Sequence, residues 1–102
     1  MIRQLSVFVQ NEIGSLASVT TVLKDNKINL RAIASFDTPE FAILRFIVDQ
    51  PEKAKELLSA KGFAVKMSEA IAVELEDAPG ELDGMLHVIA DAKIGINYIY
   101  SI

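Results

Sequence analysis

The stretch Asn11-Glu12-Ile13-Gly14-Ser15-Leu16 returns, altered but in register, as Asp77-Ala78-Pro79-Gly80-Glu81-Leu82. Sliding residues 3–36 by 66 positions lays them on residues 69–102 without a gap, pairing Val7 with Val73, Gly14 with Gly80, Leu16 with Leu82 and Ile28 with Ile94. Asp25 with Asp91, Lys27 with Lys93 and Ser35 with Ser101 match as well, and the alternation of Leu5, Val7 and Val9 is answered by Ile71, Val73 and Leu75. One supersecondary unit is used twice.

Outward from the first copy of the turn, residues 2–10 alternate apolar and polar positions, the period of a strand with one buried face. After the turn, Leu16, Val19, Thr20 and Leu23 recur at three- and four-residue spacing to about Asn26, the stripe of an amphipathic helix. Asn11 stands where an N-cap is wanted, and Asp25-Asn26-Lys27 ends the helix. Residues 28–36 make a second strand, and Asp37-Thr38-Pro39-Glu40 a turn. Residues 41–48 are apolar except for Arg45, which predicts a central strand. Asp49-Gln50-Pro51-Glu52 then supplies a cap, a proline in the first turn and an acid at the positive helix end; Ala54, Leu57 and Leu58 form the buried stripe. Gly62 closes that helix and residues 63–67 alternate as a fourth strand.

The first repeat is therefore β-α-β-β-α-β, the split βαβ order of a ferredoxin-like α+β fold. Residues 1–68 form one domain by this reading and residues 69–102 a partial second one: a strand over 70–76, a helix with the stripe Leu82, Met85, Leu86 and Ile89, and a strand over 94–101. In a ferredoxin-like sheet the third strand lies between the first and second, so the second repeat lacks its middle and leaves backbone unpaired. The expectation is that the natural chain continues past Ile102. A strand from the first repeat or from another copy of the chain would also fill the gap.

With 102 residues, 51% of them hydrophobic and 24% charged, the chain has the composition of a globular domain with a real core. Its apolar runs fall short of the ~20 residues that span a bilayer, and it has no cysteine, which excludes disulfides and thiol chemistry and fits a cytoplasmic location. A net charge of -4 with scattered basic residues argues against nucleic acid. His87, the single histidine, lies off the apolar stripe and has no nucleophile beside it. With no phosphate loop or dinucleotide fingerprint either, an enzyme is not expected, and nothing calls for a metal or cofactor. Tyr98 and Tyr100 alternate on the last strand and share a face.

A strand, then Asn/Asp-x-Ile/Pro-Gly-x-Leu opening a helix, then Ile28-Asn29-Leu30 or Ile94-Gly95-Ile96 beginning the next strand, resembles the ACT domain family of small-molecule-sensing regulatory modules. The arrangement is similar to tandem ACT proteins, which implies an amino acid ligand at the seam between modules, held by one module's turn and the other's second strand. Carried onto this sequence, the resemblance brings Asn11, Ile13, Gly14 and Leu16 near Ile96, Asn97 and Tyr98, and Asp77, Pro79, Gly80 and Leu82 near Leu30, Arg31 and Ala32.

The turn supports such a role on its own chemistry. A helix starting at Gly14 or Gly80 points unsatisfied N–H groups at a small carboxylate, and the Asp77 carboxylate suits an α-ammonium group. The same residues also serve structure alone, as N-caps (Asn11, Asp77), a helix-start proline (Pro79) and tight-turn glycines. In the first repeat Asn11 and Ile13 replace the family's more usual Asp and Pro, so Asp77's turn is the favoured single site. The expected function is an amino-acid-binding sensor, the alternative a ligand-free assembly module. A homodimer is expected over a monomer, with a regulated enzyme as a possible further partner.

Overall fold

The computed structural model describes residues 1–102. Seven elements follow in order: β1 (Ile2–Gln10), α1 (Ser15–Asp25), β2 (Leu30–Asp37), β3 (Phe41–Val48), α2 (Pro51–Ala60), β4 (Ala64–Ala70) and α3 (Glu81–Asp91). The chain divides into two compact units, Met1–Ile71 and Ala72–Ser101.

In the first unit the four strands form one antiparallel sheet in the order β2-β3-β1-β4. The inner strand β3 is the most apolar of the four, as befits a strand paired on both edges. Alternation then sorts the side chains. Leu5, Val7 and Val9 of β1 and Ala42, Leu44, Phe46 and Val48 of β3 point to one face. There they meet Val19 and Leu23 of α1 and Ala54 and Leu58 of α2, all buried in one core. β3 runs antiparallel to both β1 and β2, so β1 and β2 run in the same direction and their C-terminal ends lie at one end of the sheet. On the opposite face, Phe36, Ile43 and Phe8 form an apolar row across three strands, with Phe36 and Phe8 exposed.

α2 begins with Pro51 and ends in a Schellman motif: Phe63 N–H donates to Leu58 O and Gly62 N–H to Ser59 O, with Gly62 at φ 92°. Asp49 does not cap α2. Its Oδ1 accepts from Asn29 N–H at 3.1 Å, while Gln50 holds the cap position without a side-chain bond. The aspartate is drawn to a backbone donor that only the folded sheet brings near it.

The second unit keeps its helix and loses its expected strands. Residues 72–77 and 94–101 belong to no sheet, and β4 extends to Ala70, where it pairs with Ile2. The alternation of Ile71, Val73 and Leu75 is present, but a strand exists only where a neighbouring backbone accepts its hydrogen bonds, and these segments have none in the chain. Tyr98 and Tyr100 stack with ring centroids 6.4 Å apart and an interplanar angle of 13°, as their alternation predicts. His87 lies exposed on α3, its Nδ1 2.9 Å from Asp83 O. No helix is long and apolar enough to cross a membrane.

Candidate functional site

The turn after β1 is built by backbone. Gly14 occupies the N-cap position of α1 at φ 84°, a conformation that costs an L-residue roughly 1–2 kcal/mol and glycine almost nothing. Glu12 N–H donates to Gln10 O, Ser15 N–H to Glu12 O and Ser18 N–H to Gly14 O. The side chain of Asn11 does not cap the helix. Its Nδ2 donates 2.9 Å to Thr38 O, and its backbone N–H donates to Glu40 O, so it fastens the turn to the β2–β3 hairpin. Because Ser15 and Ser18 already have acceptors, the N–H groups of Leu16 and Ala17 are the open donors of the first helical turn, where the helix dipole is positive. That first turn carries no acidic side chain.

These donors border a cleft of about 520 Å³. One wall is the turn and helix start, Asn11 to Ala17 without Ile13; the other is Ser35 and Asp37 of β2, with Val9 and Ala42 at the base. The register explains the convergence: Val9 pairs with Ala42 and Ala42 with Asp37, so all three occupy one row on the helix-covered face at the sheet end where β1 and β2 both stop. A helix N-terminus thus faces a carboxylate across an open cleft, the complement of a small zwitterion.

Of the residues expected from sequence, Asn11, Gly14 and Leu16 line this cleft. Ile13 projects fully into solvent and is not among its walls. Arg31 lies exposed on the edge strand β2. In the second unit, Asp77, Pro79, Gly80 and Leu82 form the turn into α3. Gly80 again holds the cap position, at φ 88°, and Asp77 makes no cap bond to the helix, which corrects its assignment as N-cap. Asn97 and Tyr98 lie exposed beyond α3. Glu81 and Asp83 fall in the first turn of α3, so this second helix start is more negative than the first and less suited to a carboxylate. Sequence reasoning missed Ser35 and Asp37. The signal was available in the parallel direction of β1 and β2, which sets the last residues of β2 opposite the turn.

The family pattern of the ACT domain pair matches residues 1–102. The chain belongs to that family. No curated protein matches it. Among solved structures, a Bacteroides thetaiotaomicron protein superposes with a TM-score of 0.94 at 36% identity, over 99% of this chain and 70% of that one. The ligand-free regulatory subunit of aspartate kinase from Thermus thermophilus gives 0.74 at 20% identity, over 98% and 76%. A formyltetrahydrofolate deformylase from Pseudomonas putida gives 0.51 at 17% identity, over 95% and 41%. At those lower identities the likeness is one of fold. The chain therefore has the ACT regulatory fold, ferredoxin-like and α+β.

Proposed function

We propose that this ACT pair is a sensor for a small amino acid, bound at the turn between β1 and α1. The observation that carries the reading is the cleft in which the open N–H groups of α1 face Asp37. The ligand carboxylate accepts from Leu16 and Ala17, the α-ammonium donates to Asp37 with Ser35 beside it, and the side chain lies over Val9 and Ala42. Gly14 lets the ligand approach the backbone, since a Cβ there would stand in open space above the turn. The turn at Asp77, Pro79 and Gly80 is a second, weaker site, because its neighbouring carboxylates repel the ligand's own. Binding acts by favouring one packing of the protein over another, to the extent of the ligand's differential affinity, and no chemistry follows. The chain acts in the cytoplasm as a homodimer joined through the unpaired edge of β2, and it passes its ligand state to a regulated enzyme. Light scattering tests the dimer; a monomer at all concentrations would refute it.

The test of binding is a thermal-shift screen against the twenty amino acids, using the wild type, Asp37→Asn and Asp77→Ala. A ligand at about 100 times its Kd adds ~2.7 kcal/mol of apparent stability. One or a few amino acids should shift the wild type and Asp77→Ala nearly alike and shift Asp37→Asn far less. No shift with any of them would leave the chain as a ligand-free assembly module.

A further inference from the structure

The first unit is built of two interlocked halves. β1-α1-β2 and β3-α2-β4 have the same element order, and the sheet order β2-β3-β1-β4 places the first strand of each half between the two parallel strands of the other. Exchanging the halves about a two-fold axis between β1 and β3 leaves the order of elements unchanged.

The second unit is one such half without a counterpart. Its turn, helix and exit repeat the backbone of the first half: Glu81 N–H donates to Ala78 O, Gly84 N–H to Gly80 O and Ile94 N–H to Ile89 O, as do Ser15, Ser18 and Ile28 to Glu12, Gly14 and Leu23. Residues 72–77 and 94–101 stand in the sequence where β1 and β2 stand, 66 positions on, and neither segment belongs to a sheet. The burial that is missing is the burial a second half supplies. Val7 and Ile28 are 0% and 5% exposed, whereas their counterparts Val73 and Ile94 are 52% and 61% exposed. Val7 owes its burial to Leu44 of β3 and Val65 of β4, its ladder partners, both from the other half. The stripe Leu82, Met85, Leu86 and Ile89 of α3 has the spacing of the α1 stripe, yet α3 buries no residue.

We infer that the counterpart is the second unit of another copy of this chain. The half β3-α2-β4 of the same chain is already committed to β1 and β2. A β-α-β half, by contrast, is its own complement. Under a two-fold axis, residues 72–77 of each copy enter the gap between 72–77 and 94–101 of the other. The resulting order is 94–101, the second copy's 72–77, 72–77, and the second copy's 94–101. That is the order β2-β3-β1-β4 with the covalent link between the halves removed. The contact is isologous, closes at two copies, and gives each segment the ladder it lacks in the single chain. It uses neither the β2 edge nor the cleft beside Gly14, so it stands or falls apart from amino-acid binding.

The experiment is light scattering of the full chain across a dilution series, with amide hydrogen exchange by NMR on the same samples. Dimers should form as concentration rises. The amides of residues 73–76 and 96–100 should exchange at least about tenfold more slowly in the dimer than in the dilute monomer, because only the dimer gives them acceptors. Isotope-filtered NOEs between a ¹⁵N-labelled and a ¹³C-labelled copy should join residues 72–77 of one to residues 72–77 and 94–101 of the other. Val73→Pro takes a ladder N–H from an inner strand and should raise the dimer dissociation constant about tenfold or more. The amides of β1–β4 should keep their protection in that variant, since the first unit has a core of its own. A monomer even at millimolar concentration would overturn the inference and leave the gap to a different partner. A dimer whose newly protected amides lie only along β2, or full dimerisation of Val73→Pro, would overturn it as well.

Discussion

The turn, helix and exit that open each repeat have one backbone and two environments. Ser15 N–H to Glu12 O, Ser18 N–H to Gly14 O and Ile28 N–H to Leu23 O recur as Glu81 to Ala78, Gly84 to Gly80 and Ile94 to Ile89. Gly14 and Gly80 share a left-handed conformation, and so do Lys27 and Lys93 at the Schellman ends. Yet α1 buries Val19 and Leu23 against a four-stranded sheet, whereas α3 buries no residue. Local sequence sets the path of the chain through these segments whether or not a sheet lies beneath them, and the sheet supplies the burial.

The largest effect should separate the two copies. Leu23→Ala removes a core side chain and should cost about 2–5 kcal/mol in urea unfolding, while the equivalent Ile89→Ala should cost less than about 1 kcal/mol. Equal costs would mean that α3 is packed as tightly as α1. The next should unite them: a Cβ at Gly14 or Gly80 meets no atom within 4 Å, so Gly14→Ala and Gly80→Ala should each cost about 1–2 kcal/mol from backbone conformation alone. Urea unfolding reads the first and amide exchange along α3 the second. A negligible cost at Gly80 would show that its turn changes shape freely.

Smaller effects sharpen the picture. Lys27→Gly relieves a left-handed lysine and should raise the midpoint of unfolding by an amount equivalent to about 1 kcal/mol; Lys93→Gly should protect the last amides of α3 by a similar amount. Asn11→Ala loses the bond to Thr38 and should cost about 0.5–1.5 kcal/mol, while Asp77→Ala, with no such bond, should stay within about 0.5 kcal/mol of the wild type. Thermal unfolding of the pair decides whether the first turn depends on its hairpin.

Much of the architecture was readable because it rests on local pattern. The apolar run of β3 marked an inner strand with its present bounds, Pro51 marked the start of α2, and Gly62 its end. What failed depends on partners distant in sequence. Asn11 and Asp49 are good cap residues, but each is drawn to a backbone group across the sheet, at Thr38 and Asn29. Ile71, Val73 and Leu75 alternate as a strand should, and no ladder partner meets them. The candidate site was half legible: the glycine turn announces itself in the repeat, whereas Asp37 joins it only through the order of the strands, which puts β3 between β1 and β2.

That order also governs when the fold can form. β1 is an inner strand that precedes both of its neighbours, and its last pairing, marked by Gln4 donating to Ser68, closes a separation of 64 residues. As the chain leaves the ribosome, β1 and its apolar face must wait through the synthesis of α1, β2 and β3 before the first ladder is available and through α2 before the second. Loop closure of this kind is paid before any contact rewards it, so the first unit should fold slowly for its size, and only once Ala70 has emerged.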